Sequence, residues 1–173
     1  MNITLHRTLM VWLLTGALAL AIALVAAKDV SAAPSPALAG GATQISGVGS
    51  YDASCDPDSV DANYAIIMHG DLEGCLYTFV ETAESSPSGT YRETGTELFV
   101  GSTSEGAGTF ETTYRFEAKY EDVNDPATEI FGRCQHPIVE GSGTGIFEGA
   151  SGILLFKDDI EAGNFPYRGH LRW

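Results

Sequence analysis

The sequence predicts an all-β domain: a small antiparallel barrel of about eight strands. Short runs of β-branched and aromatic residues alternate with Gly, Asp, Asn, Pro and Ser clusters along most of the chain, as in antiparallel strands joined by turns. The clearest runs alternate apolar and polar residues, and no stretch shows the helical period. Strands with one apolar face and no helix to cover it must bury those faces against one another, in a barrel or a sandwich. We favour the barrel because terminal strands of similar length can pair and remove two exposed edges.

The N-terminal segment, residues 1–32, has the layout of a signal peptide. Arg7 precedes an apolar run over 9–27, and the small residues Val30-Ser31-Ala32 follow it, which is the pattern that a signal peptidase cleaves. An uncleaved anchor is the alternative, since a run of about 20 apolar residues can span a bilayer. The small residues that follow the apolar run favour cleavage. We therefore expect a secreted or otherwise extracytoplasmic protein that does not contact the membrane after cleavage.

The remaining chain has the size and charge of one acidic domain. Residues 33–42 are small and rich in Gly and Pro, which predicts a flexible leader, and 43–173 form a single barrel domain. Without its first 32 residues the 173-residue chain retains 141 residues, with 7 basic and 22 acidic side chains and a net charge of −15. This charge repels phosphate backbones, so nucleic acid is excluded as a partner.

Alternation defines the individual strands. In the strand over 109–120, Phe110, Tyr114, Phe116 and Tyr120 lie on one face and charged or Thr residues on the other. The last strand repeats the pattern with Tyr167 on its apolar face. The predicted strands are 44–51, 64–69, 76–81, 91–100, 109–120, 129–139, 152–160 and 165–173. An eight-stranded barrel has room for side chains or one small ligand, and the candidate cavity residues are Phe110, Tyr114, Phe116, Tyr120 and Tyr167.

Three mature cysteines in an oxidising compartment indicate one disulfide and one spare thiol. Pairing of Cys55 with Cys75 would close a loop of about 20 residues and stabilise the fold by about 3 kcal/mol. Pairing of either residue with Cys134 is also compatible with the sequence. Cys134 and His136 are two residues apart in a predicted strand, so both side chains lie on the same face.

No metal or cofactor is expected. The cysteines and histidines lack the spacing of a zinc site, and the acidic segment 56–63 lacks the ligand spacing and central glycine of an EF-hand. Asp158 and Asp159 are adjacent in a predicted strand and point to opposite faces, which excludes them as a glycosidase pair. The glycines of 141–152 fit neither a dinucleotide fingerprint nor a nucleophile elbow.

The glycine-rich segment carries a family resemblance. The pattern Gly143-x-Gly145-x-Phe147-x-Gly149-x-x-Gly152, followed by Tyr167-Arg168-Gly169-His170-Leu171 in the last strand, resembles the allene oxide cyclase barrel family and its bacterial secreted members. The resemblance implies a calycin-like barrel. On physical grounds, the glycines suit positive φ and close strand approach at a tight corner, and Phe147 can plug one end of the barrel. Plant members cyclise an unstable fatty-acid epoxide in an apolar cavity. Their functional residues lie mainly in earlier strands, where this chain has no matching positions, so the catalytic residues are unknown.

Three functions are compatible with these observations. The first is a non-enzymatic exported barrel that binds a small apolar or aromatic ligand, or presents its rim to a protein partner. The alternative is an isomerase or cyclase that acts on an apolar substrate in the same cavity. The third is a structural barrel filled by its own side chains. An enzyme requires an inward carboxylate, histidine or tyrosine held by neighbouring groups, whereas a carrier requires little beyond shape.

Overall fold

The computed structural model describes residues 41–173, which form nine β-strands and two short 3-10 turns. The predicted signal peptide over 1–32 and residues 33–40 of the predicted leader lie outside the described residues. No helix within 41–173 is both long and apolar enough to cross a bilayer. The strands are β1 (Thr43–Ser50), β2 (Tyr64–Gly70), β3 (Glu73–Ser85), β4 (Thr90–Thr103), β5 (Gly106–Tyr120), β6 (Glu129–Pro137), β7 (Thr144–Gly145), β8 (Ser151–Lys157) and β9 (Phe165–Arg172), and the 3-10 turns are Pro57–Ser59 and Pro126–Thr128.

Eight of the strands close into an antiparallel barrel. Their order around the barrel is β1-β2-β3-β4-β5-β6-β8-β9, and β9 returns to β1. The first and last strands pair from Thr43 opposite Leu171 to Gly49 opposite Phe165. The all-β barrel and the pairing of the terminal strands are therefore confirmed, and closure leaves none of these eight strands with a free edge.

The strands differ from prediction mainly at their polar ends. The strand predicted over 76–81 is β3, which continues to Ser85 and pairs Glu84 with Arg92 beyond a bulge at Val80/Thr82. Apolar alternation fades where both faces meet water, so it underestimates strand length. Conversely, β8 ends at Lys157 and not at 160. The two-residue β7 was not predicted; it adds to the end of β5, with Thr144 opposite Thr109.

One end of the barrel is filled by aromatic side chains. Phe99, Phe110 and Phe147 are fully buried, and the Phe147 ring lies edge-on to the other two, with ring centroids 5.7 Å and 5.0 Å away. The indole Nε1 of Trp173 donates to the carbonyl oxygen of Ile146, 2.6 Å away, and holds the segment before Phe147 in place. The expectation that Phe147 plugs one end of the barrel is confirmed.

The glycines of the 143–152 motif allow this plug to form. A Cβ at Gly143 would lie 1.8 Å from the carbonyl oxygen of Phe147, which is far closer than van der Waals contact. Gly149 has a φ of +76° with open space around it, a left-handed conformation that disfavours other residues. Two different constraints, close backbone approach and positive φ, thus require glycine in the same short segment.

Cys55 and Cys75 form a disulfide across a Cα–Cα distance of 5.6 Å, which confirms the predicted pairing. The bond joins the loop between β1 and β2 to β3, where the neighbouring residue Leu76 points into the barrel core and Cys75 therefore points outward. Cys134 is a free, buried thiol. A disulfide of this kind is consistent with an oxidising, extracytoplasmic compartment.

Candidate functional site

The other end of the barrel opens into a cavity of about 510 Å³. Strands β2 to β6 and β8 form its walls, and residues at the ends of strands and in the β5–β6 loop form its mouth. The lining residues are Tyr51, Tyr64, Ile66, Thr78, Tyr91, Glu93, Glu97, Tyr114, Phe116, Tyr120, Val123, Pro126, Glu129, Cys134, His136, Phe156, Asp158 and Phe165. The cavity wall is thus aromatic with several ionisable groups.

The five cavity candidates divide between the two ends of the barrel. Tyr114, Phe116 and Tyr120 line the cavity. Phe110 packs in the filled end, with its ring centroid 4.8 Å from that of Phe99. The hydroxyl of Tyr167 accepts a hydrogen bond from the amide of Leu72 in the buried core, 3.0 Å away. Alternation identifies inward-facing residues but does not say at which height along the barrel axis they lie.

A buried carboxylate–histidine pair lies on the cavity wall. Glu97 of β4 and His136 of β6 are 4% exposed each, and Nδ1 of the imidazole lies 2.5 Å from Oε2 of the carboxylate. The hydroxyl of Thr112 donates to the same oxygen at 2.7 Å, and that of Thr78 donates to Oε1 at 3.3 Å. All three partners of Glu97 act as donors, as an ionised carboxylate requires.

This arrangement determines the orientation and tautomer of the histidine. Because a carboxylate oxygen is an acceptor, Nδ1 of His136 must carry a proton and donate it to Glu97. The ring also packs against Phe156, with centroids 4.6 Å apart. Its other nitrogen, Nε2, is buried and has no hydrogen-bond partner among residues 41–173. Nε2 is therefore an unused hydrogen-bonding atom on a residue that lines the cavity.

A second buried carboxylate, Glu93, is held by three tyrosines. The hydroxyls of Tyr64 and Tyr114 donate to Oε1 at 2.9 Å and 2.8 Å, and that of Tyr91 donates to Oε2 at 2.5 Å. Burial, reinforced by the negative charge of Glu93, raises the pKa of all three phenols. The three hydroxyls remain protonated donors at any physiological pH, so their protons stay directed at Glu93.

Two further carboxyl groups face each other at the mouth. Glu129 begins β6 and Asp158 follows β8, and burial together with the neighbouring Asp158 raises the pKa of Glu129 to about 7. Burial also raises the pKa of Asp158. A Cβ at Gly132 would lie 2.0 Å from Oδ2 of Asp158 and 2.5 Å from Oε1 of Glu129. Glycine at this position therefore leaves the space in which the two carboxyl groups approach each other.

Cys134 and His136 lie on the same inward face of β6, as predicted, and both line the cavity. Burial, reinforced by Glu97, raises the pKa of the Cys134 thiol. A nucleophilic cysteine requires the opposite shift, toward the thiolate. The geometry therefore favours His136, and not Cys134, as the polar group available for chemistry on this strand.

The buried carboxylates were not predicted, although the sequence contains a signal for them. Glu93 and Glu97 have the same parity as Phe99 in β4, so an inward Phe99 places both carboxyl groups inside the barrel. Apolar Leu98 and Val100 have the opposite parity and hid this pattern. Glu129 and Asp158 are 29 positions apart and meet only because β6 pairs with β8.

The site carries no signature of a metal centre, and comparisons with known proteins add no assignment. Within the described residues 41–173, no group of three or more His, Cys, Asp or Glu side chains is arranged to hold a metal ion. Comparison of the chain with protein-family models, curated proteins and solved structures finds no match. The resemblance to the allene oxide cyclase barrel family therefore stays a prediction.

Proposed function

We propose that the protein is an exported barrel that binds a small molecule with an apolar or aromatic body. The observation that carries this proposal is the cavity of about 510 Å³, open at one end and closed by side chains at the other. Ligand-binding pockets in proteins typically measure about 300–1,000 Å³. A barrel that served only as a structural element would gain stability by filling this space.

The aromatic rings of the wall support an apolar or aromatic ligand body. Tyr91 and Phe116 pack edge to face with centroids 6.1 Å apart, which leaves flat ring surface beside the cavity. At the mouth, the Tyr51 ring packs on Phe165 at 5.3 Å while Tyr51 is 65% exposed. An exposed aromatic residue at the entrance can cover a bound molecule without any change in the barrel.

Two features support export. The predicted signal peptide places the mature chain outside the cytoplasm, and the Cys55–Cys75 disulfide matches the oxidising conditions found there. The acidic surface of the chain suits a protein that stays in solution and away from anionic surfaces.

Native mass spectrometry of the mature protein purified from its own secretion route tests the proposal. We expect an additional mass that recurs across preparations and is lost on denaturation. Ile66→Trp, which fills the cavity from β2, should abolish this mass, whereas Phe131→Trp on the exposed outer face of β6 should retain it. A bare protein mass in every preparation, or equal retention by both variants, would overturn the proposal.

A second candidate function is an isomerase or cyclase that acts on an apolar substrate in the same cavity. The observation that favours it is the Glu97–His136 pair, in which Nδ1 donates to the carboxylate and Nε2 has no partner. A histidine oriented in this way can accept a proton from a bound substrate and return it at another position. Isomerisation and cyclisation need such a transfer and no external oxidant or reductant.

Deuterium exchange separates the enzyme from the carrier. The molecule released from the barrel is incubated with fresh protein in D₂O, and its mass and structure are followed over time. An isomerase with His136 as its base incorporates solvent deuterium or forms an isomer, and His136→Gln abolishes this change. His69→Gln is the matched control, because His69 is exposed and pairs with Glu73 outside the cavity. An unchanged molecule favours the carrier.

A further inference from the structure

The hydrogen-bonding groups of the cavity wall suit a ligand that donates hydrogen bonds. The hydroxyl protons of Tyr64, Tyr91 and Tyr114 are all directed at Glu93, so these groups can offer a ligand only their oxygen lone pairs. The hydroxyl of Thr78 likewise donates to Glu97. The inner wall therefore presents acceptors and few available protons.

His136 independently indicates that the cavity prefers a ligand that donates a hydrogen bond. The residue is 4% exposed, lines the cavity and leaves its Nε2 without a partner. In the neutral tautomer whose Nδ1 donates to Glu97, the ring has a lone pair at Nε2. A buried acceptor without a partner carries a desolvation cost, and a ligand N–H or O–H that reaches Nε2 removes that cost.

The charges of the cavity also have one sign. Four carboxyl groups line it, those of Glu93, Glu97, Glu129 and Asp158, and no Lys or Arg occurs among its described lining residues. Oε1 of Glu129 is itself buried without a partner. The faces of aromatic rings carry partial negative charge and attract cations. The rings of the wall are Tyr51, Tyr64, Tyr91, Tyr114, Phe116, Tyr120, Phe156 and Phe165.

We infer that the ligand is an organic cation, a protonated amine carried on an aromatic or apolar body; this inference rests on the proposed function. The ammonium N–H donates to Nε2 of His136, its positive charge lies among the carboxyl groups, and its body packs against the aromatic wall near Phe116 and Phe156. A carboxylate ligand would meet carboxyl groups of its own sign in a site of low dielectric, where repulsion is strong.

A set of three probes with the same apolar body isolates the effect of charge. Phenethylamine is a cation at pH 7, 2-phenylethanol is neutral, and 3-phenylpropionate is an anion. The amine and the alcohol can both donate a hydrogen bond to Nε2, but only the amine gains from the carboxylates. Titration calorimetry of the mature protein should show amine binding at least tenfold tighter than alcohol binding, no measurable carboxylate binding, and weaker amine binding in high salt.

His136→Leu tests the position of the amine. We expect at least a tenfold loss of phenethylamine affinity, with the matched variant His69→Leu unchanged. Near-UV circular dichroism establishes that each variant is folded, and if His136→Leu does not fold, the three-probe comparison in the wild-type protein still decides the charge of the ligand. Unchanged amine affinity in folded His136→Leu would overturn the placement of the ammonium at Nε2.

The outcomes separate this inference from the proposed function. Similar affinity for amine and alcohol, or tighter binding of the carboxylate, would overturn the cation inference while the barrel remains a ligand-binding protein. The neutral dye Nile red provides the second measurement. The proposed function would be overturned as well if none of the three probes binds and if Nile red emission shows no change that depends on the cavity, that is, no change that is lost in Ile66→Trp.

Discussion

The buried carboxylates Glu93 and Glu97 illustrate how single residues of this protein combine stability with an available polar site. An ionised group is costly to bury unless hydrogen bonds replace its hydration. Three tyrosine hydroxyls replace it at Glu93, and two threonine hydroxyls and His136 replace it at Glu97. The result is a polar network inside a barrel that remains rigid because its donors are committed.

Removal of Glu97 should therefore destabilise the fold. Glu97→Ala leaves Nδ1 of His136 and the hydroxyl of Thr112 without their acceptor, and we expect the free energy of unfolding in urea to fall by about 3 kcal/mol. The control is Glu105→Ala in the exposed β4–β5 turn, which should change it by less than about 0.5 kcal/mol. Equal effects of the two variants would contradict the proposed network.

The mouth pair predicts a pH dependence of stability. The pKa of Glu129 in the folded protein, about 7, lies above its usual value of 4.5, so the folded state binds this proton more tightly than the unfolded state. The contribution of Glu129 to the free energy of unfolding should therefore be greatest at low pH and should fall as pH rises from about 5 to above 7. Asp158, whose pKa is also raised, acts in the same direction.

Urea unfolding at pH 5.0 and pH 7.5 measures this effect. Glu129→Gln should reduce the loss of stability between the two pH values, because an amide cannot ionise. Glu84→Gln, at the exposed end of β3, is the control and should keep the wild-type difference. A Glu129→Gln variant with the full wild-type difference would contradict a raised pKa at Glu129.

At the scale of elements, the segment 143–152 shows how a chain without regular structure can close a barrel. It contributes the two-residue strand β7, the plug Phe147 and the start of β8. Its glycines were predicted to serve positive φ and close approach, and the structure confirms both uses at different positions. An architectural role is thus sufficient to explain the most distinctive motif in the sequence.

Substitution at a glycine that needs positive φ and at a glycine that needs close backbone approach should lower stability by different amounts. Gly149→Ala meets open space and strains only φ, so we expect a loss of about 1–2 kcal/mol in the free energy of unfolding. Gly143→Ala places Cβ against the carbonyl of Phe147, which must move together with the plug, so the loss should be larger, about 3 kcal/mol. Thermal unfolding of both variants measures the order, and a greater loss for Gly149→Ala would contradict the steric explanation.

At the scale of the whole molecule, the barrel divides into a filled half and an open half. The packed rings of Phe99, Phe110 and Phe147 supply core contacts in the first, while the cavity in the second gives up packing for space. The Cys55–Cys75 disulfide and the pairing of β1 with β9 compensate for the packing that the open end lacks. The Cys55–Cys75 disulfide holds the loop between β1 and β2, which also contributes Tyr51 to the mouth.

Loss of the disulfide should lower stability without opening the barrel. The double variant Cys55→Ala/Cys75→Ala releases a loop of 20 residues, which corresponds to about 3 kcal/mol and a drop in Tm of roughly 10 °C. Far-UV circular dichroism should remain that of the wild type. Dithiothreitol should lower the Tm of the wild type and leave that of the double variant unchanged; a similar effect on both would show that the loss of stability does not come from the Cys55–Cys75 bond.

The sequence by itself predicted the eight main strands, the barrel and the Phe147 plug, and it indicated one disulfide with Cys55–Cys75 as the candidate pair while pairing with Cys134 stayed open. Each follows from local or short-range information: a two-residue alternation, turn residues between strands, and a motif whose glycines restrict the backbone. Alternation also placed Cys134 and His136 on one face, and it contained the inward parity of Glu93 and Glu97.

Only the tertiary structure decided which inward residues meet and where space remains. Closure and strand register set the height of each side chain along the barrel axis, and so placed Phe110 in the filled end and Tyr114 in the cavity. The same register brought Glu97 within hydrogen-bond distance of His136, 39 positions away, and placed Glu129 beside Asp158. Alternation cannot predict these contacts, because it repeats identically along every strand and is unaffected by how one strand slides past another.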